Sequence, residues 1–288
     1  MLLETRARRP AAIAEAAAAR RRPPAPVDDD GRAMIIAADH TARGILGAGQ
    51  RAEAMADRGE LLDRIQLALS RPGVTGVMAS PDILEDLLLL GVLDGKAVFG
   101  TMNRGGLQGA AWEIDDRFTA YDAAAIAAAG FEGGKMLVRI DPEDAATPAT
   151  LEACARAVSD LAARGLVAMV EPFMAGSLEG RVRPILLPDA AIRASVVAAA
   201  LGTTSAYTWL KVPVVEDMER VIGATTLPTL LLGGEVARDQ AATFERWGAA
   251  LRVPGAIGLV VGRSLLFPPD DDVAAAVDAA VGLIPRDR

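Results

Sequence analysis

The fold is decided by a stretch near the N-terminus that reads MIIAADHTARG over residues 34–44. Its first five residues are apolar without alternation, which is typical of a parallel strand covered on both faces. In a doubly wound open sheet that binds dinucleotides, a glycine-rich GxGxxG loop would follow this strand. Here the strand leads directly into Asp39 and His40. The sequence therefore favours a closed barrel over an open sheet.

Seven further apolar runs repeat this pattern along the chain. The predicted strands cover residues 34–39, 76–80, 97–103, 133–140, 167–173, 207–213, 229–234 and 258–263. Amphipathic or alanine-rich stretches lie near 51–70, 82–91, 120–129, 148–164, 189–201, 216–223, 238–251 and 272–283. Eight strand–helix units fit the roughly 250 residues typical of a (β/α)8 barrel. We therefore predict an α/β protein with the (β/α)8 TIM-barrel fold.

The N-terminal region differs from the rest of the chain. Residues 3–19 are rich in alanine and arginine with helical character, and prolines at 23, 24 and 26 precede three aspartates at 28–30. The apolar part is too weak for a signal peptide and contains Glu15. We predict an N-terminal helix with a proline-rich linker over 1–33 and a catalytic barrel domain over 34–288.

Composition excludes several classes of function. The chain has 288 residues, 51% of them hydrophobic, and a net charge of −8, which favours a soluble cytoplasmic protein over a nucleic-acid or membrane binder. Cys154 is the only cysteine and His40 the only histidine, so disulfides, CxxC sites and multi-histidine zinc sites are excluded. We expect no cofactor and no metal. Because many barrels associate through their helices, we also expect a homo-oligomer.

The lysines are few: three, against 27 arginines. Such a bias suggests a GC-rich genome, in which a retained lysine can have a role that arginine cannot fill. A buried lysine can lose its proton and act as a nucleophile, whereas arginine stays protonated. Lys135 and Lys211 interrupt apolar runs, while Lys96 precedes a strand at the opposite end of the barrel. We expect Lys96 to be structural.

Polar residues follow the predicted strands at their carboxyl ends, where barrel enzymes carry their chemistry. We expect two lysines and two carboxylates to lie at the same mouth of the barrel. Lys211 has no acidic neighbour on its own strand to pair with, and this favours the neutral form of its amine. A structural salt bridge of Lys135 with Asp39 or Glu171 is the alternative. In strand order these ends carry Asp39 and His40, Asn103 and Arg104, Lys135 and Arg139, Glu171, Lys211, Gly233 and Gly234, and Gly262 and Arg263.

The last two strands end in glycines. Backbone N–H groups at Gly233, Gly234 and Gly262 can approach a ligand closely, and barrel phosphate sites commonly form after strands seven and eight. Arg263 adds a cation suited to phosphate. We predict a phosphate site here.

These motifs resemble class I aldolases of the deoxyribose-phosphate, tagatose-bisphosphate and archaeal fructose-bisphosphate type, and an actinobacterial aldolase-like group of barrels. The resemblance covers residues 34–267 and rests on AADH at 37–40, GKMLV at 134–138, VEPF at 170–173 and WLKVP at 209–213. It implies a Schiff base on Lys211, proton transfer by Glu171, and Lys135 and Asp39 as their neighbours. The chain departs from the tagatose enzymes at 139–141, where they carry tyrosines, and Asn103-Arg104 has no counterpart role.

We therefore expect a metal-independent aldolase that acts on a phosphorylated ketose or keto-sugar acid in carbohydrate or inositol catabolism. His40 and Arg139 are expected to contact this substrate. One alternative is a lyase or isomerase with a divalent ion between Asp39, Glu171 and Asp141. Another is a non-catalytic sugar-phosphate binder with structural lysines.

Overall fold

The computed structural model describes residues 2–178 and 181–285 of the chain. Within these residues eight parallel strands pair in sequence order, and the last pairs with the first, which closes a barrel. The (β/α)8 prediction is confirmed. The barrel strands are β1 (Ala33–Ala38), β2 (Gly76–Ala79), β3 (Ala97–Thr101), β4 (Gly133–Ile140), β5 (Val167–Leu178), β7 (Thr208–Pro213), β8 (Thr229–Leu232) and β9 (Ala256–Val261); β6 (Arg181–Pro184) lies outside the ring.

Helices surround the barrel, and several begin at an aspartate. Asp57, Asp122, Asp239 and Asp272 each accept a hydrogen bond from a backbone N–H three residues on, which satisfies a donor that the first helical turn leaves free. In the described residues the helices are α1 (Leu2–Arg8), α2 (Ala12–Ala19), α3 (Arg58–Ser70), α4 (Pro81–Leu89), α5 (Ala123–Ala128), α6 (Thr147–Ala162), α7 (Pro188–Ala199), α8 (Met218–Gly223), α9 (Gln240–Leu251), α10 (Arg263–Leu266) and α11 (Val273–Gly282).

The strands separate two apolar cores, because successive side chains of a strand point to opposite faces. One cluster fills the barrel and includes Ile35, Phe99 and Met169. The other packs between strands and helices and includes Ile36 and Val170. The strands are thus buried on both faces, which explains their continuous apolar sequence.

Three local features differ from the sequence prediction. The fifth strand continues beyond residue 173 and forms an antiparallel hairpin with β6. The last strand covers 256–261, so Arg263 does not end a strand but begins the short helix α10. The N-terminal stretch forms two helices, since Pro10 lies at their junction and has no N–H to continue α1.

The N-terminal helices lie against the barrel wall. Arg6 on α1 pairs with Glu85 and Asp86 on α4 at 2.8 and 2.9 Å. Beyond α2, Arg20 is buried and pairs with Glu132 at 3.0 Å beside the first residue of β4. Among the described residues, no helix combines the length and the apolar character that crossing a membrane requires.

Candidate active site

The side chains of the site continue the interior face of the barrel. Asp39 follows the row of Ala33, Ile35 and Ala37, all of which belong to the interior cluster. By the same period of two, Glu171 follows Val167 and Met169 on β5, and Lys211 follows Trp209 on β7. These charged side chains therefore lie directly above the apolar filling, at the C-terminal mouth.

Lys135 and Lys211 share one carboxylate. The Lys135 Nζ atom lies 2.5 Å from Oε2 of Glu171, and the Lys211 Nζ atom lies 2.8 Å from Oε1. Lys135 also contacts Asp39 Oδ2 at 3.3 Å. All four residues are buried, with exposed fractions between 2% and 8%. The sequence indicates no partner for Lys211 on its own strand, and the structure supplies one from the adjacent strand β5.

Arg104 completes a row of alternating charges. Its guanidinium donates to the Asp39 backbone carbonyl at 3.1 Å and forms an ion pair with the Asp39 carboxylate. The neighbouring Asn103 side chain exchanges two hydrogen bonds with the backbone of Leu137 on β4, at 2.6 and 2.9 Å. Asn103 thus fixes the end of β3 against β4, and the row reads Arg104, Asp39, Lys135, Glu171, Lys211.

The carboxylates of this row stay ionised. Burial favours the protonated form of Asp39, but the charges of Arg104 and Lys135 outweigh it and hold the pKa of Asp39 well below its usual range. Burial likewise opposes ionisation of Glu171, and the charges of Lys135 and Lys211 outweigh it and lower its pKa to about 2. Both groups are therefore ionised at neutral pH.

Lys135 and His40 lie beside these carboxylates, and the pKa of each is lowered. Burial is the main cause that lowers the pKa of Lys135 to about 8, and it prevails over the attraction of Asp39 and Glu171. Burial also lowers the pKa of His40 to about 3, so this imidazole is neutral at physiological pH. Its Nδ1 atom is buried and has no hydrogen-bond partner in the described part of the chain. A neutral imidazole with an unused nitrogen suits a substrate hydroxyl.

Arg139 belongs to a second buried cluster beside the lysines. It pairs with Glu113 at 3.0 Å and lies 3.7 Å from Asp116, while Arg43 pairs with Asp116 at 2.6 Å. These contacts tie the segment between β3 and α5 to β4 and to the loop after β1. Sequence reasoning missed Arg43, Glu113 and Asp116, since their loop positions carry no periodic signal. In the structure, Arg139 is therefore paired with carboxylates of the protein itself.

The predicted phosphate residues lie together at the ends of β8 and β9. A Cβ atom at Gly262 would overlap the carbonyl oxygen of Ala37 and lie 2.9 Å from Cε1 of His40, so only glycine fits there. The Nε atom of Arg263 is buried without a hydrogen-bond partner among the described residues. Burial lowers the pKa of Arg263, with Glu235 opposing this effect, and arginine remains charged.

A cavity of about 1080 Å³ opens at this side of the mouth. Residues 44–53, 235–238 and 267–269 line it together with Gln108 and Arg263. Of the predicted site residues Arg263 lines the cavity, and the members of the row of charges are not among its lining residues. This volume is ample for a sugar phosphate.

The remaining sequence candidates lie elsewhere. The Lys96 ammonium group donates to the backbone carbonyl of Val74 at 2.6 Å, beside the N-terminal ends of β2 and β3. Asp141 accepts a hydrogen bond from the backbone N–H of Glu143 at 3.0 Å within its own loop. Among the described residues no group of three or more His, Cys, Asp or Glu side chains is arranged to hold a metal ion.

Together, the fold and the site define a (β/α)8 barrel with two buried lysines around one glutamate. The model of the Cgl0159-like family matches residues 31–281, and the chain belongs to this family. Its sequence is 52% identical to that of Cgl0159 from Corynebacterium glutamicum. The match to the crystal structure of that protein has a TM-score of 0.95 and covers 98% of this chain and 95% of that chain.

More distant structures share the fold. A Schiff-base-forming fructose-1,6-bisphosphate aldolase is 18% identical, with a TM-score of 0.67 over 95% of this chain and 100% of that one. An archaeal fructose 1,6-bisphosphate aldolase is also 18% identical, with a TM-score of 0.66 over 94% and 98% of the two chains. A comparison with curated proteins finds no match.

Proposed function

We propose that this protein is a class I aldolase that cleaves or forms a carbon–carbon bond through a Schiff base on Lys211. One observation carries the proposal: the Nζ atoms of Lys135 and Lys211 lie against the two oxygens of the buried Glu171, at 2.5 and 2.8 Å. Two amines around one carboxylate in a buried site combine a nucleophile, an acid and a base within reach of one carbonyl carbon.

The first step is attack of the neutral Lys211 amine on the substrate carbonyl. The new C–N bond gives a carbinolamine, whose hydroxyl leaves as water when it takes a proton from the Lys135 ammonium group. The product is a protonated imine on Lys211 and a neutral Lys135, so the positive charge has moved from one side of Glu171 to the other. A pKa of about 8 suits Lys135 to this proton transfer.

The second step breaks the carbon–carbon bond. Glu171 takes the proton of the hydroxyl on the carbon that leaves, the bond electrons move to the imine nitrogen, and an aldehyde departs. The resulting enamine takes the proton back from Glu171 at carbon. Water then hydrolyses the imine, which releases the ketone, restores the Lys211 amine and returns the proton to Lys135. No external oxidant or reductant is needed.

The substrate we propose is a phosphorylated ketose or keto-sugar acid. The free Nε of Arg263 and the close backbone approach at Gly262 suit a phosphate beside the cavity, and the unused Nδ1 of His40 suits a hydroxyl near Asp39. The neighbouring structures named as fructose-bisphosphate aldolases support this substrate class. A divalent ion between Asp39 and Glu171 would have to displace the Lys135 ammonium group from both.

Borohydride trapping tests the proposal. The protein is incubated with dihydroxyacetone phosphate and sodium borohydride, and its peptides are analysed by mass spectrometry. We expect a reduced adduct on the peptide that contains Lys211, with the Lys96 peptide as an internal control. An adduct on Lys135 would exchange the roles of the two lysines. Turnover without an adduct on any lysine would refute a Schiff-base mechanism, and ligand-induced stabilisation without turnover or adduct would indicate a binding protein.

A further inference from the structure

Arg104, like its partner Asp39, takes no part in the proton transfers of the proposed reaction. It follows β3, is only 6% exposed, and contacts two atoms of the same residue, the backbone carbonyl and the carboxylate of Asp39. The fork of a guanidinium can make two such bonds at once, whereas an ammonium group is a single point charge. Arg104 therefore fixes both the position and the charge of Asp39.

Arg104 and Lys135 compete for the same oxygen. Both approach Oδ2 of Asp39, where Arg104 forms the closer ion pair and Lys135 remains at 3.3 Å. Lys135 is much closer to Glu171, at 2.5 Å. The charge of Asp39 is thus balanced mainly by Arg104, which stays protonated. Lys135 lies closer to Glu171, the carboxylate that it shares with Lys211.

We propose that Arg104 is a positioning residue that balances most of the charge of Asp39, so that Glu171 is left as the main carboxylate partner of Lys135 and Lys211. This inference deepens the proposed function and rests on it for its role in catalysis. Its structural part, the control of the lysine charges by Arg104, can be tested without any substrate.

Charge balance explains the effect. With both lysines protonated, the row holds three cations and two carboxylates, so one lysine proton can leave without stranding a negative charge. Without Arg104 the balance is two against two, and Asp39 would be a buried carboxylate with Lys135 as its one remaining ion-pair partner among the described residues. An unbalanced buried carboxylate strongly favours a charged neighbour. Lys135 would then keep its proton to higher pH.

Other charged groups also face the lysines, and none of them replaces Arg104. His40 follows β1 and is neutral, and the cations of the second cluster are already paired with carboxylates. The groups that face Lys135 are Asp39 and His40 from the end of β1, Arg104 from the end of β3, Glu171 from β5 and Lys211 from β7; those that face Arg104 are Asp39, Arg43, Asp116 and Glu171.

The experiment uses the fact that the chain has only three lysines. Protein labelled with 13C-lysine gives three Cε signals, which three Lys→Arg variants assign, and each signal is followed against pH. In Arg104→Gln we expect the Lys135 midpoint to move upward by about one pH unit or more, because Arg104 no longer opposes its charge. A shift of one unit lowers the neutral fraction of Lys135 at pH 7 about ten-fold.

Arg20→Gln is the matched control. Arg20 is also a buried arginine in an ion pair, with Glu132, but it lies at the other end of the barrel. It should lower thermal stability without moving the midpoint of Lys135. Arg104→Lys keeps the charge and should restore most of the wild-type midpoint. If Arg104→Gln lowers stability as Arg20→Gln does and leaves the Lys135 midpoint in place, Arg104 is merely structural and the inference is wrong.

A double variant keeps the test decisive if Arg104→Gln does not fold. In Asp39→Asn with Arg104→Gln no carboxylate is left unbalanced, so folding is expected. The Lys135 midpoint should then lie at or below that of the wild type; a midpoint as high as that expected for Arg104→Gln alone would overturn the inference. The absence of any trapped adduct in the wild-type protein would count against the proposed aldolase, while the Lys135 midpoint would still decide the role of Arg104.

Discussion

Lys211 on β7 and Glu171 on β5 lie one residue beyond Val170 and Leu210, the last registered pair of these two neighbouring strands. Strand register therefore brings their side chains together at the interior face, where the Lys211 Nζ atom donates to Glu171 at 2.8 Å. Because both partners are held by the barrel sheet and not by loops, the distance between nucleophile and base is fixed by the fold itself.

The three lysines should respond differently to replacement by arginine. Lys211→Arg keeps the charge beside Glu171 and the fold, but a guanidinium cannot form the imine, so turnover and adduct should both disappear. Lys135→Arg should lower the rate strongly and still allow some trapping. Lys96→Arg should be near neutral, because that ammonium group contacts only the carbonyl of Val74 among the described residues. Full activity of Lys211→Arg would exclude this residue as the nucleophile.

Arg263→Ala should weaken phosphorylated ligands selectively. Loss of one charged hydrogen bond costs roughly 1.5–3 kcal/mol, which corresponds to a rise in Kd of about ten-fold or more. A dephosphorylated analogue should bind almost as before, as measured by calorimetry. Arg164→Ala on the outer surface serves as the control and should change neither affinity. Equal losses for both ligands would identify Arg263 as a structural residue.

Gly262→Ala should damage the same site for a steric reason. Its new Cβ would overlap the carbonyl oxygen of Ala37 and press on His40, so the end of β9 must shift. We expect a loss of about 1–3 kcal/mol in stability and weaker phosphate binding. Gly282→Ala at the end of α11 has open space around it and should cost little. Equal melting temperatures of the two variants would contradict the packing described here.

Glu171 should contribute to stability in a defined pH range. Its pKa is about 2 in the folded chain against 4.5 ordinarily, so its contribution is complete above pH 4.5 and is lost as the pH falls toward 2. The stability difference between wild type and Glu171→Gln should therefore narrow by about 3 kcal/mol between pH 6 and pH 2 in chemical denaturation. Glu152→Gln, in an exposed pair with Arg156, should change stability by less than about 1 kcal/mol. A stability difference between wild type and Glu171→Gln that does not change with pH would contradict the ion pairs of Glu171.

Dialysis against a chelator should leave turnover unchanged. The carboxylates of Asp39 and Glu171 already hold the Lys135 ammonium group, at 3.3 and 2.5 Å, and an imine supplies the electron sink that a metal would otherwise provide. Loss of activity that a divalent ion restores would favour the metal-assisted lyase or isomerase instead.

The sequence by itself determined the barrel and the candidates at its mouth. Apolar runs of strand length recur with helical stretches between them. Both patterns depend on neighbours in sequence, so they can be recognised without knowledge of tertiary contacts. The same periodicity places Asp39 directly after β1 and Lys135, Glu171 and Lys211 within β4, β5 and β7. Local signals were weaker at boundaries: Arg263 was predicted in a strand and begins α10, and the hairpin of β5 and β6 was not predicted.

Only the tertiary structure decided which charges pair. The partners of Lys211 and Asp39 are 40 and 65 residues away in the chain, and nothing on their own strands indicates them. The loop residues Arg43, Glu113 and Asp116 likewise acquire their role only when the segment after β3 packs against β4. The physical reason is that buried charges select partners by distance in space, whereas secondary structure is set by neighbours in sequence. The barrel could be predicted, and so could the pairing of Lys135 with Asp39 or Glu171, whereas the pairs of Lys211 with Glu171 and of Arg104 with Asp39 could not.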